Sequence, residues 1–165
     1  MNATMLERPA DARKLESMAA ATASKPSGHW GRRLEDRQFA QMTSAFARTG
    51  GLLQDDAMVR MMRRHHGQPL SMLARWIISR ELVSVRYGGQ MLFPLFQFEL
   101  SSMTRHPMLL PVLQELHCAF DDWDLATWFA SPSEWLAGRT PVDIFVSDPS
   151  GLVQAARADR YIAMG

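Results

Sequence analysis

The stretch Ser131-Pro132-Ser133-Glu134-Trp135-Leu136-Ala137-Gly138-Arg139-Thr140-Pro141-Val142-Asp143 decides the fold class. Ser131-Pro132-Ser133-Glu134 sets a serine at a helix N-cap, a proline at the first helical position and a glutamate where a capping box needs it. Gly138 supplies the stop. Thr140-Pro141-Val142-Asp143 repeats the device with Asp in the Glu role, opening a helix through Ile144 and Phe145. Asp148-Pro149 opens the last helix, which carries Leu152, Val153, Ala156 and Tyr161. Just upstream, Trp123–Phe129 is apolar at Trp123, Ala126 and Phe129 or Trp128. Asp121, Asp122 and Asp124 form a cluster that could bind a cation and reads more simply as an acidic helix start that complements the helix dipole. Four short helices with explicit starts predict a compact bundle, and the chain reads as mainly α.

Towards the N-terminus, Pro107–Phe120 reads as a helix with Leu109, Val112, Leu113, Leu116 and Phe120 on its core face. Leu82–Tyr87 is the clear strand signal, with Val83, Val85 and Tyr87 on one face and Ser84 and Arg86 on the other. Gly88-Gly89 is a permissive two-residue turn, Met91–Phe93 returns as the partner strand, and Pro94 ends the ladder. Before this hairpin stand two helices. Asp55 and Asp56 offer N-caps for one running to about His66, with Met58, Val59, Met61 and Met62. Gly67, Gln68 and Pro69 break it, and Ser71 begins the next, with Leu73, Trp76 and Ile77 inward and Arg75 and Arg80 outward. A helix–turn–helix followed by a short hairpin is the outline of a winged helix. Arg33–Arg48 forms an earlier amphipathic helix through Leu34, Phe39, Met42 and Phe46, stopped by Gly50-Gly51. Residues 1–28 read as a tail, with at most a marginal helix over Ala10–Ala21. The expected organisation is a flexible N-terminal tail over 1–30, a helix–turn–helix-like region with hairpin over 31–105, and a helical domain over 106–165.

The 165 residues are 47% hydrophobic and include 12 Met and 5 Trp, enough apolar material for a core and a weak pointer to a partner surface. The single cysteine, Cys118, excludes an intramolecular disulfide framework and reads as a small buried hydrophobe. No apolar run approaches the ~20 residues of a membrane span. The N-terminus lacks a secretory layout, and Glu7, Asp11 and Glu16 disfavour a transit peptide, so a cytoplasmic location is expected. The net charge of +1 conceals an asymmetry: residues 57–105 carry seven Arg against two Glu, and residues 106–165 carry three Arg against eight acids. A basic middle and an acidic C-terminal third imply two surfaces with different partners.

The sequence holds no Gly-rich phosphate loop, dinucleotide fingerprint, zinc-protease helix or nucleophile elbow, so a binding protein without cofactor or metal is expected rather than an enzyme. His117 and Asp121 stand at i,i+4 spacing, half a metal site at most and more simply a cap or surface contact. In the basic middle, Arg60, Arg63, Arg64, Arg75, Arg80 and Arg86 accompany His65 and His66. One reading sets Ser71–Arg80 near a DNA major groove with Arg75 and Arg80 as contacts, Arg63 and Arg64 steering, and Arg86 on the hairpin near phosphates. The other is a solvated basic face or a subunit interface. Trp76-Ile77-Ile78 leaves the second helix a narrow polar face for reading bases.

Phe120-Asp121-Asp122-Trp123-Asp124-Leu125-Ala126-Thr127-Trp128-Phe129, Ser131-Pro132-Ser133-Glu134-Trp135-Leu136, Arg139-Thr140-Pro141-Val142-Asp143 and Ala155-Ala156-Arg157-Ala158-Asp159-Arg160-Tyr161 together resemble the Xre/MbcA/ParS antitoxin toxin-binding domain. Leu73-Ala74-Arg75-Trp76-Ile77 and Phe93-Pro94-Leu95-Phe96-Gln97-Phe98 look like the segment that precedes it. The chain departs from that family at Ser133, where Asn is usual, and in lacking a clear Xre helix–turn–helix. The resemblance implies an antitoxin that blocks a RES-type, NAD-consuming toxin, forms homo-oligomers and binds operator DNA. The alternative is a DNA-binding regulator whose C-terminal domain dimerises. Carried onto this chain, the toxin-facing residues are Arg157, Asp159, Arg160 and Tyr161, with Tyr161 reading equally as core. Trp123, Trp128, Leu136, Pro141 and Ile144 read as bundle core or helix starts. Removal of everything from Leu152 onward is expected to abolish toxin neutralisation while leaving the rest folded.

Overall fold

The computed structural model describes residues 29–165; the tail and the marginal helix over Ala10–Ala21 lie outside them. Helix α1 (His29–Ala47) buries Met42 and Phe46 fully and Phe39 in part, as its spacing predicts. Leu34, expected on the same face, is 58% exposed beside Trp30 at 80%, because the first turns of α1 run past the body. Gly50 and Gly51 end the helix at φ 102° and 80°, and Gly51 N–H donates to Phe46 O at 2.9 Å. A Cβ on Gly50 would meet Leu95 Cβ at 2.8 Å, so this turn needs glycine for space as well as for backbone sign.

Strand β1 (Leu52–Gln54) follows, a three-residue element too short to carry a period. Helix α2 (Asp55–Met62) starts directly from it, so the N-cap is Gln54, and Asp55 and Asp56 lie in the first turn rather than at the cap, with Asp55 Oδ1 accepting from Asp56 N–H at 2.9 Å. They favour the helix dipole instead. Helix α3 (Pro69–Ile78) begins at Pro69, two residues before the expected Ser71, because proline suits the first helical position and does not only break the previous helix. Leu73 and Trp76 are buried as expected, Ile77 is half-buried and Ile78 is exposed.

The hairpin forms from β2 (Val85–Tyr87) and β3 (Gln90–Pro94), in the register Val85↔Leu92, Arg86↔Met91, Tyr87↔Gln90. Gly88 and Gly89 both take positive φ, 59° and 78°, as a tight hairpin turn requires. β1 pairs antiparallel with the other edge of β3, giving the strand order β1-β3-β2. The strand expected from Leu82 starts only at Val85, and Ser84 is buried instead of facing out. Gln97, fully buried, replaces a strand neighbour there. Its Oε1 accepts from Val83 N–H at 2.7 Å, and its Nε2 donates to Val83 O at 2.8 Å and Pro94 O at 3.0 Å. A second small ladder, β4 (Phe98–Glu99) with β5 (Thr104–Arg105), leads into the C-terminal third.

There α4 (Leu109–Leu116), α5 (Asp122–Ala130), α6 (Pro141–Ile144) and α7 (Pro149–Met164) follow. Leu109, Val112, Leu113 and Leu116 are fully buried, while Phe120 is half-buried beyond the end of α4. Three predicted caps are present: Asp121 Oδ1 accepts from Asp124 N–H at 2.8 Å, Thr140 Oγ1 from Asp143 N–H at 3.3 Å, and Asp148 Oδ1 from Gly151 N–H at 3.0 Å. The Ser131 box is not. Ser131 Oγ donates back to Thr127 O at 2.7 Å, and Glu134–Leu136 is one 3-10 turn whose N-cap, Ser133, makes no capping bond. Cys118 is exposed, not buried, because it lies past the last turn of α4, on the side away from the core.

One core joins both parts of the chain. Phe96 sits among Phe46 (5.5 Å between ring centroids), Phe129 (4.9 Å) and Phe145 (4.9 Å), linking α1, α5 and the end of α6. α7 packs on α4 through Leu152, Ala155 and Ala156, all at most 1% exposed. A cut before Leu152 therefore removes part of the core, and the remainder is not expected to keep this fold.

Candidate functional site

Two surfaces stand out, one at the end of α7 and one on α2–α3. On α7, three of the four residues expected to face a partner are bound within the molecule. Arg157 donates from Nε (3.2 Å) and Nη2 (2.8 Å) to Glu115 Oε1, and Arg160 Nη1 lies 2.7 Å from Glu115 Oε2. The Arg157 hydrogen bonds hold the Glu115 carboxyl below the usual carboxylate range, against the opposing effect of burial. Asp159 accepts from the indoles of Trp128 (2.7 Å) and Trp135 (2.9 Å). Tyr161 is 69% exposed and not core, with the Arg160 guanidinium 5.3 Å from its ring centroid.

The stripe that buries Leu152, Ala155 and Ala156 continues, at helical spacing, to Ile162 and Ala163, yet both are exposed. At the last turn of α7 Met164 Sδ lies 3.5 Å from Cys118 Sγ, while Tyr161, Ile162, Met164 and the nearby Trp135 offer apolar surface to solvent. Two arginines and one aspartate anchor the helix immediately before this turn. Sequence reading missed Glu115 and Ile162. Glu115 was the one acid within the otherwise apolar and amide-bearing α4, a signal that it needs a cationic partner.

On the second surface, Arg60, Arg63, Arg64 and His65 are exposed at the end of α2 and in the turn after it. His66 turns inward, its ring nitrogen 3.3 Å from Met103 O. Arg75 lies mid-way along the exposed side of α3, opposite Leu73 and Trp76, with Gln68, Ser71, Ile78 and Ser79 on the same side. Arg86 is half-buried on β2 and engaged within the molecule.

Arg80 leaves this face altogether. Its backbone takes the left-handed conformation (φ 52°), and Arg80 N–H donates to Ile77 O while Glu81 N–H donates to Trp76 O, the Schellman closure usually made by glycine. The side chain then reaches the C-terminal third, donating to His117 O (3.2 Å) and Phe120 O (2.9 Å) beside Asp122 (3.4 Å). Burial, and then the Arg80 charge, push the His117 imidazole below its ordinary pKa, and Asp121 serves as the cap of α5.

Between α1 and the loop after α5 lies an open hollow of about 570 Å³, lined by Gln41, Ser44, Arg48, Ala130, Pro132 and Thr140. Arg48, its charged residue, pairs with Asp143. Among the described residues, no group of three or more His, Cys, Asp or Glu side chains is placed to hold a metal ion, and no helix is long and apolar enough to cross a membrane. Compared with protein-family models, curated proteins and solved structures, the chain matches none of them.

Proposed function

We propose that this chain is an antitoxin-type binding protein that holds a protein toxin, of the RES-type NAD-consuming class, through the end of α7. The observation that carries the reading is the exposed last turn, where Tyr161, Ile162 and Met164 are 69%, 69% and 63% exposed although Ile162 continues the stripe that buries Leu152, Ala155 and Ala156. Large apolar and aromatic side chains at a fixed helix end are the residue types that dominate binding energy in protein interfaces. The anchoring of Arg157, Asp159 and Arg160 beneath them reduces the ordering that association would otherwise require. The class of partner comes from the resemblance of residues 120–161 to antitoxin toxin-binding domains.

The surface differs from the one the resemblance implies. Arg157, Asp159 and Arg160 become supports, and contact falls to Tyr161, Ile162, Met164 and Trp135. Co-expression with the toxin gene tests this. Tyr161→Ala with Ile162→Asp is expected to abolish protection while leaving the circular dichroism spectrum and unfolding midpoint unchanged, since both side chains are exposed. Full protection by that double variant would overturn the reading.

A further inference from the structure

We propose that the outer face of α1 is the docking groove for one helix of a partner protein, acidic in its first turns and aliphatic in its last. The inference goes beyond the toxin-binding reading and rests on residues which that reading does not use. Trp30, Leu34, Arg37, Gln41, Ser44 and Arg48 follow one another at alternating steps of four and three, and all six are exposed. That spacing is the seam along which one helix packs on another. It lies away from Met42 and Phe46, the side chains that α1 buries in the core. The seam runs for about 27 Å, roughly five helical turns. Ala40 and Ala45 flank it with methyl groups only, which lets a second helix approach closely.

Apolar surface and charge are divided along the seam. Trp30 and Leu34 make its first end, largely exposed, with the Arg33 guanidinium 5.7 Å from the Trp30 ring centroid. The other end is the hollow beside α5, where Gln41, Ser44 and Arg48 form one wall and Ala130, Pro132 and Thr140 the other. Arg37 stands between the two ends and, among the described residues, forms no ion pair. Arg48 pairs with Asp143, but 77% of its side chain remains exposed, so solvent screens that pair and the charge stays available. The acids of α1 are placed elsewhere: Glu35 is half-buried off the seam, and Asp36 accepts from the Tyr87 hydroxyl at 2.8 Å. The charged side chains of the seam are therefore all arginines. The helix that carries them is fixed along its length. Phe39 stacks on Tyr87 at 3.8 Å between ring centroids, the Trp123 indole donates to Gln38 Oε1 at 2.8 Å, and Gln41 Nε2 donates to Ala130 O at 3.3 Å. A partner meets a surface that is already ordered.

Charge selects the occupant. Two copies of α1 laid parallel would set Arg37 against Arg37 and Arg48 against Arg48, and laid antiparallel would set Leu34 against Ser44. Residues 1–28 carry four basic side chains against three acidic ones, so they do not supply the missing negative charge. A bilayer surface is flat and does not fill the hollow beside Ser44. A helix from a different chain, running antiparallel to α1, satisfies both ends. Acids in its first turns suit its own dipole and meet Arg48 and Arg37, and aliphatic side chains in its last turns cover Leu34 and Trp30.

The test is selection from a display library of helical peptides, about 18 residues long and randomised along one face, with the full chain as bait. The expected peptides carry Asp or Glu in their first half and Leu, Ile or Met in their second, and their binding weakens with salt. For an enriched peptide made synthetically, Leu34→Asp and Arg37→Glu should each weaken binding roughly tenfold or more while leaving the unfolding midpoint unchanged. Lysine in place of the peptide acid that faces residue 37 should restore binding to Arg37→Glu, a rescue that only direct contact produces. The proposal is overturned by failure to enrich any peptide, by enriched peptides lacking the acidic-then-aliphatic order, or by unchanged affinity in either variant. It is also overturned by a dimer of the chain that Leu34→Asp dissociates, or by Leu34-dependent binding to phosphatidylglycerol vesicles tighter than to the peptide. The Tyr161→Ala, Ile162→Asp chain should bind the peptide as the parent chain does, which keeps this result separate from the fate of the toxin-binding reading.

Discussion

The guanidinium of Arg80 donates to the backbone oxygen of Phe120 at 2.9 Å, so the residue that closes helix α3 also binds the chain leading into α5. The bond joins the two parts of the protein at the point where α3 must stop. A left-handed arginine costs about 1–2 kcal/mol relative to glycine, and the bonds to His117 O and Phe120 O offset that cost.

Arg80→Ala keeps the unfavourable backbone and loses both side-chain bonds, so it should lower the unfolding free energy by about 1–3 kcal/mol. Arg80→Gly should be the milder change, recovering roughly 1 kcal/mol of that loss. Denaturant titration of the two variants checks the order. A glycine variant less stable than the alanine variant would show that the conformation at residue 80 is not the source of strain.

Gln97→Leu should destabilise by about 2–3 kcal/mol although it adds apolar volume to a buried site. It would leave Val83 N–H and Val83 O buried without the partners that Gln97 supplies at 2.7 and 2.8 Å. Unfolding midpoints of Gln97→Leu and Gln97→Glu, which keeps the acceptor for Val83 N–H, would be compared. Indifference to the loss of the amide would contradict this role.

Ala137 closes the 3-10 turn Glu134–Leu136 in the left-handed conformation, at φ 56° and ψ 40°, with its side chain exposed. Ala137→Gly should raise the unfolding free energy by roughly 1 kcal/mol, because glycine adopts that conformation without the alanine penalty. A lower thermal midpoint would contradict the assignment.

Acid should loosen α7. The Arg157 hydrogen bonds lower the Glu115 pKa in the folded chain, so the folded state binds its proton less readily than the unfolded state does. The resulting stabilisation is complete above the ordinary glutamate value near about 4.3 and disappears as pH falls through the lower folded value. Glu115→Gln should flatten that part of the stability–pH curve. An unchanged acid limb in this variant would show that the clamp does not hold α7.

The parts of this fold legible in the sequence were those with local chemistry. The Asp121, Thr140 and Asp148 caps and the Gly88-Gly89 turn each follow from a few adjacent residues whose side chains bond neighbouring backbone or allow positive φ. Features set by distant partners were not legible. β1 has three residues and exists because β3 has a free edge; Ser131 resembles a cap yet bonds backwards to Thr127. The interaction surfaces follow the same division. The basic stripe was visible as composition, but Arg80 leaves it because the distant carbonyls of His117 and Phe120 accept its hydrogen bonds. On α7 the two arginines and the aspartate read as contacts until Glu115, Trp128 and Trp135 are seen to bond them.

The central claim is that the exposed end of α7 holds a protein partner, and it is tested most directly by parallel capture from native-cell extract. The baits are the full chain and a chain ending at Arg160, which retains the Glu115 clamp and the Asp159 bonds to both indoles. The account predicts that the full chain retains one stoichiometric protein that consumes NAD once freed, and that the shortened chain loses it while unfolding at the same midpoint. Retention of that same protein by the shortened chain, or its absence from both, would contradict the account.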